Sequence, residues 1–242
     1  MSSLKRNIPY PKRTIDIHPE KEDRTTVFYD VFICPESDRL LCIGPTLYNL
    51  KHHLFPLRIY LNNREIKYKY LQIERLFFLE SERLERALSN YATVTFKFRK
   101  FSKQVEVCIG NNRKQLYTKS DSEITISTLQ KDNPVEWIAD WILWHKRLYN
   151  VKRVVLYDNG SSNIKQLMGY LPSLEPEVQI IFVHWVYPHG VSPLKSAQHG
   201  SLNHCRLKFP VQNGFCINLD IDEYLVKPGS ESLSDYLSRT LR

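Results

Sequence analysis

The chain has 242 residues, of which 42% are hydrophobic and 25% charged, a composition typical of an ordinary globular protein. Its sequence contains no apolar run of the roughly 20 residues that a membrane span needs, and no apolar stretch follows the basic N-terminus as in a secretory signal. The net charge is +8, with the excess in the first half of the chain. This excess predicts a solvated basic surface or, as the alternative, attachment to phosphates or an anionic membrane surface.

The cysteines are five in number and none is arranged as Cys-x-x-Cys. An odd number at these spacings argues against a disulfide framework and against a zinc knuckle. We therefore expect reduced thiols and a cytoplasmic protein, with peripheral membrane association as an option. A location in the Golgi lumen would require a membrane anchor outside this sequence.

The first half of the chain predicts a short arm and a β-rich accessory domain. Residues 1–25 are polar and charged and predict an extended arm. Residues 26–120 contain short runs of β-branched and aromatic residues, such as TVFYDVFIC and YATVTFKF, separated by turn signals such as Asn62-Asn63. We expect a small antiparallel sheet or sandwich here, interrupted by one helix from Glu74 to about Ser89.

The second half, residues 121–242, predicts an α/β domain. Strand-like runs at 124–129, 153–157, 178–185 and 215–219 alternate with two helical patterns. This alternation favours a mostly parallel sheet joined by right-handed crossovers.

The first of these helices has a clear beginning. Asn133 suits the N-cap, Pro134 the first helical position and Glu136 the third, and the helix is expected to run to about Tyr149. Four large apolar residues recur at spacings of three and four and predict one apolar face: Trp137, Trp141, Trp144 and Leu148.

The ends of the first two predicted strands are polar, and ligands of open α/β sheets bind at the carboxyl ends of strands. Lys131 and Asp132 follow the first strand and open a helix, where a phosphate or a base carbonyl could bind. Asp158 follows the second strand and could accept a hydrogen bond from a pyrimidine N–H or a ribose hydroxyl. The Asn-Gly pair after Asp158 is also a hairpin signal, but a strand-to-helix loop capped by Ser161 or Ser162 fits the residues that follow better.

The run Asp220-Ile221-Asp222-Glu223 is the most specific motif. Strand alternation places Asp220 and Asp222 on one side and Ile221 in the core. Two carboxylates on one side suit Mg²⁺ or Mn²⁺, which would neutralise a departing nucleoside diphosphate. An acidic turn without a ligand is the alternative.

The second half also carries four histidines, His184, His189, His199 and His204. Their spacing does not place a pair on one helical face, which argues against a zinc site formed by the protein alone. One of them could instead line an acceptor pocket.

Several motifs in this order resemble glycosyltransferase family 92, whose members share the GT-A fold with family 2. The resemblance covers about residues 121–227. It is carried by five segments: 131–133, Asp140-Trp141-Ile142-Leu143-Trp144-His145, 155–161, Gln198 with Asn203-His204-Cys205, and 217–224, which ends in Asp-x-Asp-Glu-Tyr.

The resemblance implies a metal-dependent glycosyltransferase that uses a UDP-sugar and Mn²⁺ (or Mg²⁺). Galactose is the favoured sugar, inversion the favoured outcome, and a glycan or glycoconjugate the acceptor. Lys131, Asp132, Asp158 and Asp220 would bind the donor nucleotide, and Asp220 and Asp222 the metal. Gln198 and Asn203 would lie near the donor sugar or the acceptor.

Two features depart from the family pattern. Asn150 stands where the family often has glycine, and an αL turn accommodates Asn there. Twenty residues follow Asp222, so we expect the acceptor-binding part to be truncated, and the sequence identifies no catalytic base.

Three other functions compete with this interpretation. A non-catalytic nucleotide-sugar-binding protein or inactive fragment is the main alternative. An Asp-x-Asp phosphatase is disfavoured because the pair follows the fourth strand and Tyr224 replaces the Thr or Val usual there. A nucleic-acid binder is disfavoured because the aromatic residues fall in strand-like core positions rather than beside a basic stripe.

Overall fold

A computed structural model describes residues 4–5, 26–47, 50–73, 75–84, 91–108, 124–188, 195–209, 214–227 and 229–240. The chain divides into two compact units. The β-rich unit contains residues 1–118 and 187–208, and the α/β unit contains residues 119–186 and 209–242. Residues 187–208, which we assigned to the second domain, thus group with the first unit, and the functional division of the chain stays a prediction.

The β-rich unit consists mostly of strands, whereas strands and helices alternate in the α/β unit. In chain order the elements are β1 (Leu4–Lys5), β2 (Thr26–Phe28), β3 (Asp30–Ile33), β4 (Arg39–Pro45), α1 (Lys51–Leu54), β5 (Arg58–Leu61), β6 (Arg64–Ile66), β7 (Tyr68–Ile73), β8 (Leu76–Arg83), β9 (Tyr91–Lys97), β10 (Ser102–Cys108), β11 (Ile124–Gln130), α2 (Val135–Tyr149), β12 (Arg153–Asp158), α3 (Ile164–Leu174), β13 (Gln179–His184), α4 (Ser196–Lys208), β14 (Phe215–Asn218) and α5 (Leu233–Thr240). None of the helices in the described ranges has the length and hydropathy needed to cross a bilayer.

The β-rich unit contains two four-stranded antiparallel sheets, in the orders β3-β4-β8-β7 and β10-β9-β5-β6. Both sheets contribute to one apolar core, in which the ring of Phe28 lies 5.5 Å from Phe77 and 5.0 Å from Phe96, measured between centroids. The predicted antiparallel, β-rich character of this half is therefore confirmed. Of the predicted arm, Leu4–Lys5 is described, as a short strand paired with β2, and the remainder lies outside the described residues.

The helix predicted from Glu74 to about Ser89 is wrong for residues 76–83, which form strand β8, and Glu74 and residues 85–89 lie outside the described residues. This strand lies between β4 and β7 and pairs with both. Residues 76–79 (LFFL) are all buried, so the run is covered on both faces. Burial of four consecutive apolar side chains in a central strand outweighs the helix propensity of the Leu and Glu residues.

The α/β unit is built on one four-stranded sheet in the order β13-β12-β11-β14, in which every pairing is parallel. The predicted parallel sheet with helices is confirmed. The order of the sheet reverses between β11 and β14: β12 and β13 follow β11 on one side, and β14 returns to the other. In an open α/β sheet such a reversal opens a crevice at the carboxyl ends of the strands, where ligands bind.

Helix α2 covers this sheet, but with a different face from the predicted one. Six residues are buried, including Trp141. In contrast, Trp137 is 59% exposed and Leu148 is 54% exposed, so the predicted face of Trp and Leu residues is wrong apart from Trp141. The predicted N-cap is also displaced, because Pro134 rather than Asn133 precedes the first helical residue. The predicted αL turn at Asn150 is confirmed by its φ of 52°.

Candidate functional site

The carboxyl ends of β11 and β12 are joined by a buried polar cluster of Gln130, Asp158 and Ser161. The Gln130 Nε2 donates to Asp158 Oδ1 at 2.6 Å and to Ser161 Oγ at 3.0 Å. All three residues are almost inaccessible, at 3%, 2% and 6% exposure respectively. The Gln130 Oε1 is buried and has no hydrogen-bond partner within the described part of the chain. The two adjacent strand ends are therefore held together by side chains rather than left open to solvent.

Asp158 organises the loop that follows its own strand. Its Oδ2 accepts a hydrogen bond from the Gly160 N–H at 3.1 Å, and the Ser161 N–H lies 3.2 and 3.3 Å from the two oxygens. Gly160 has a φ of +80°, a conformation that glycine adopts without strain. The chain then continues into α3, so the predicted strand-to-helix loop is confirmed, whereas the helix N-cap is Asn163 rather than Ser161 or Ser162. Binding of a nucleotide by Asp158 stays a prediction.

Asp132 connects the first strand end to the start of α3. Its Oδ1 accepts hydrogen bonds from the N–H of Ser162 at 2.7 Å and from the Ser162 hydroxyl at 2.9 Å. These two bonds lower the pKa of the Asp132 carboxyl. Its own N–H donates to Ser161 Oγ at 2.9 Å. Lys131 and Asp132 are both exposed beside the N-terminus of α2, so a nucleotide could reach these two predicted binding residues from the solvent.

The acidic motif forms a turn directly after β14. The Glu223 N–H donates to the carbonyl of Asp220 at 3.0 Å, and the Asp220 N–H donates to the Glu223 carboxylate at 2.9 Å. Ile221 is buried at 7% exposure, while Asp220 and Asp222 are exposed. This matches the predicted burial pattern, but the cause is a turn and not strand alternation, since β14 already ends at Asn218.

The turn lies at the reversal of strand order. Strand β14 pairs with β11 through Ser127 opposite Asn218, and the Leu219 N–H then donates to the Ser127 carbonyl at 3.0 Å. The parallel pairing therefore directs Asp220 and the end of β11 toward the same edge of the sheet. The ends of β11, β12 and β14, after or at which the predicted donor-binding residues Lys131, Asp158 and Asp220 stand, therefore lie on the same edge of the sheet.

A ladder of hydrogen bonds from α2 holds the segment after the turn. Trp141 Nε1 donates to the Glu223 carbonyl at 3.0 Å, and Trp144 Nε1 donates to the Leu225 carbonyl at 3.2 Å. Further along the helix, the Tyr149 hydroxyl donates to the same Leu225 carbonyl at 2.8 Å. The sequence does not reveal this role, because the spacing of the Trp residues is equally typical of an apolar helix face.

His145 completes the ladder as a neutral, buried side chain. The Leu225 N–H donates to its Nε2 at 3.3 Å, which makes Nε2 the acceptor and leaves the proton on Nδ1, 2.7 Å from the carbonyl oxygen of Trp141. Burial lowers the pKa of His145, and the hydrogen bond to Trp141 offsets this only in part. The imidazole therefore serves as a fixed acceptor for the main chain that follows the acidic turn.

The carboxylates of the acidic turn provide some, but not all, of the ligands that a hard divalent cation needs. Exposed carboxylates at Asp220 and Asp222 offer the oxygen ligands that Mg²⁺ and Mn²⁺ prefer. No group of three or more metal-ligating side chains occurs within the residues that the structure describes. A cation would therefore need water or diphosphate oxygens to complete its shell, as is usual for Mg²⁺ in nucleotide sites.

Gln198 and Asn203 lie on α4, which belongs to the β-rich unit. The Gln198 carbonyl accepts a hydrogen bond from the Ser201 hydroxyl at 2.8 Å. Asn203 donates to the carbonyl of His199 at 2.9 Å and accepts from Arg206 at 3.0 Å. Their predicted role near the donor sugar or acceptor stays a prediction.

The four histidines of the second half do not form a common cluster where the structure describes them. His184 is exposed at the end of β13, opposite Asp158 in the sheet register, and His204 is buried on α4. His199 lies on α4 as well. His189 lies outside the described residues.

Comparison with known proteins places these motifs in a family. The model of glycosyltransferase family 92 matches residues 121–241, which is half of the chain. A glycosyltransferase family 92 protein of Oryza sativa subsp. japonica is 27% identical over 106 residues, corresponding to 43% of this chain. The matched part spans 16% of the length of that rice protein. On the family match and the ordered motifs at the strand ends, the chain belongs to glycosyltransferase family 92.

Proposed function

We propose that this chain binds a nucleoside-diphosphate sugar together with a divalent cation and serves as a metal-dependent glycosyltransferase of the GT-A type. The observation that carries the proposal is the position of the Asp220–Glu223 turn directly after β14, the strand that pairs with β11 on the side opposite to β12. Two exposed carboxylates there lie at the reversal of strand order, where open α/β sheets bind nucleotides. Membership of the family supports the same function.

Each part of the proposed donor site has a chemical counterpart in UDP. The N-terminus of the 15-residue helix α2 and the side chain of Lys131 favour the negative charge of the diphosphate. Asp132, which is exposed, offers a carboxylate oxygen for the N–H of a pyrimidine or for ribose hydroxyls. The buried Asp158 shapes the adjacent loop, and the same contact by its carboxylate would require this loop to open. The partnerless Gln130 Oε1 is a further acceptor beside Asp158.

Asp220 and Asp222 are the residues that would hold Mn²⁺ or Mg²⁺. A cation bound there would neutralise the diphosphate as it leaves the sugar. The chain's own contribution is geometric: the Trp141 and His145 hydrogen bonds fix the segment after the turn, so the two carboxylates need little reordering on binding.

Galactose is the sugar we favour, transferred with inversion to a glycan or glycoconjugate acceptor. Inversion needs a base that deprotonates the acceptor hydroxyl. We also propose that the basic N-terminal half recognises the acceptor or holds the protein near a membrane surface.

Thermal unfolding with UDP and Mn²⁺ tests the donor site. Saturation at about 100 times Kd stabilises the folded chain by ~2.7 kcal/mol, which raises the Tm by roughly 5 to 10 °C in a chain of this size. Asp222→Ala should remove the Mn²⁺-dependent part of the rise. Glu177→Ala, which removes an equally charged and 73% exposed side chain from the same unit, should leave it intact.

A melting curve unchanged by millimolar UDP and Mn²⁺ would refute the donor site. Transfer and donor hydrolysis are then assayed over a panel of UDP-sugars with a mixed glycan acceptor. Binding of UDP without hydrolysis or transfer would refute the transferase function and support the alternative of a non-catalytic nucleotide-sugar-binding protein.

A further inference from the structure

A buried cluster of three ionisable side chains fixes helix α4 within the β-rich unit. Asp30 Oδ2 lies 2.7 Å from His204 Nε2 and 2.5 Å from the Lys208 ammonium. The side chains of Asp30 and His204 are 1% and 0% exposed, and that of Lys208 is 15% exposed. Asp30 is on β3, whereas the other two are on α4, 174 and 178 residues further along the chain.

The cluster contains a stable ion pair and a neutral imidazole. Burial opposes ionisation of the Asp30 carboxyl, but Lys208 and the hydrogen bond from His204 outweigh it and lower its pKa to about 2. Burial lowers the pKa of His204 to about 4. At neutral pH His204 is therefore an uncharged donor to Asp30, while Lys208 supplies the compensating charge.

Both oxygens of Asp30 are engaged in this arrangement. Oδ1 accepts a hydrogen bond from the Val31 N–H at 2.8 Å, and Oδ2 accepts from both His204 and Lys208. The ring of Phe32 contacts His204 edge-on at 5.4 Å between centroids, and the Lys208 ammonium lies 5.3 Å above the same ring. A carboxylate so deeply buried and fully bonded holds its partners in one geometry.

Other contacts support the same attachment on either side of the cluster. The Tyr187 hydroxyl, which precedes α4 in the chain, donates to the Tyr29 carbonyl at 2.6 Å. Near the C-terminal end of the helix, Cys34 Sγ lies 3.6 Å from the carbonyl of Leu207. The β-rich unit thus contacts both the C-terminal end of α4 and Tyr187, which precedes the helix in the chain.

Helix α4 lies inside the segment 121–241 that matches the family model, but Asp30 does not. The chain leaves the parallel sheet after β13, forms α4 within the β-rich unit and returns as β14. The same helix carries Gln198 and Asn203, whose predicted contacts with the donor sugar or the acceptor are what the family resemblance implies. A family motif residue, His204, therefore has its buried partner in the part of the chain that precedes the family segment.

We propose that Asp30 is a positioning residue for the transfer reaction: through His204 and Lys208 it fixes α4, the helix that carries Gln198 and Asn203, within the β-rich unit. The β-rich half is then a required part of the transferase rather than a separable accessory domain. This inference rests on the proposed function for its catalytic consequence, but the attachment of α4 can be measured without it.

Removal of the Asp30 charge should loosen α4 selectively. Asp30→Asn retains an acceptor for His204 and leaves the Lys208 ammonium without its counter-ion in a mostly buried site, which is strongly destabilising. In the full chain, the amides of residues 196–208 should then exchange with deuterium at least about tenfold faster, while β4 and α2 keep their protection. Glu80→Gln, which removes the carboxylate of the partly exposed Arg39–Glu80 pair in the same unit, is the control and should change neither.

A compensating variant separates loss of charge pairing from general damage. Lys208→Met should accelerate exchange of residues 196–208 as well, since it leaves the Asp30 carboxylate buried without a cation. The double variant Asp30→Asn/Lys208→Met buries neither charge and should recover part of the lost protection. Effects that simply add in the double variant, or unaltered exchange of 196–208 in both single variants, would overturn the attachment.

The catalytic part of the proposal predicts different effects of Asp30→Asn on donor binding and on transfer. Asp30→Asn should leave the Kd of UDP with Mn²⁺ within about twofold of wild type and lower kcat/KM for transfer at least about tenfold. Faster exchange of α4 with unchanged transfer would overturn the positioning role, as would equal loss of protection throughout the chain. If wild-type protein binds no UDP, the proposed function fails, and the exchange data alone decide whether Asp30 holds α4.

Discussion

Replacement of Asp158 by alanine tests whether its carboxylate holds the two strand ends together. The variant removes the acceptor of the Gly160 and Ser161 N–H groups and one of the two acceptors of the Gln130 amide. An unsatisfied buried donor costs about 1–3 kcal/mol. With two main-chain donors affected and one side chain partly affected, we expect a loss of ~3 kcal/mol in the free energy of unfolding.

The loss is measured by thermal unfolding without nucleotide or metal. A change of ~3 kcal/mol lowers the Tm by roughly 6 to 12 °C for a chain of this size. Asp158→Asn keeps one oxygen acceptor and should lose about half as much. Asp222→Ala, which removes an exposed carboxylate from the acidic turn, is the control and should shift the Tm by less than about 2 °C in the absence of metal.

A Tm for Asp158→Ala within about 2 °C of wild type would refute this reasoning. It would mean that the loop keeps its shape without the carboxylate of Asp158. A large loss of stability in Asp158→Ala with normal UDP binding by Asp158→Asn would instead confine the residue to a structural role.

Two further predictions concern His145 and Gly44. Burial lowers the pKa of His145 in the folded chain, so the unfolded chain takes up the proton first, and stability is lost as the pH falls below the unfolded value of about 6.5. Urea unfolding between about pH 7.5 and 5.5 should show a shallower pH dependence for His145→Gln than for wild type, and equal slopes would contradict the prediction. Gly44→Ala would place a Cβ 2.1 Å from the carbonyl oxygen of Val27 and should cost ~3 kcal/mol or more in the free energy of unfolding. Gly169→Ala, whose Cβ meets no atom within 4 Å in a helix, should instead be neutral or stabilising, and similar midpoints for the two variants in the same urea experiment would contradict the prediction.

The parallel sheet could be predicted because its signals are local. Each strand is a short apolar run, and the helices between them begin near Pro134 and after the Asp158 loop, so alternation alone indicates the sheet. The failure at Leu76–Arg83 has the opposite origin. Its Leu and Glu residues are compatible with a helix, and the pairing with β4 and β7 that makes it a strand depends on residues distant in sequence.

The acidic turn could be located from the sequence for a similar reason. The acidic turn stands out because adjacent carboxylates need solvent or a cation, which a sequence shows directly. The roles of Gln130 and His145 cannot be read from the sequence, because nothing in it indicates that these two polar side chains are buried and hydrogen-bonded. The partnership of Asp30 with His204 joins residues 174 positions apart and becomes visible only in the folded chain.

The pairing of β14 with β11 also bears on the order in which the molecule folds. Ser127 and Asn218, which are in register in this pair and 91 residues apart, are joined by a hydrogen bond of 3.2 Å. Contacts this distant in sequence close the longest loop in the sheet and form late, whereas β11, β12 and β13 can assemble through successive crossovers. The acidic turn would then reach its place in the final step, so slow folding or misfolding of this protein should first appear as an unformed acidic turn and an open edge of β11.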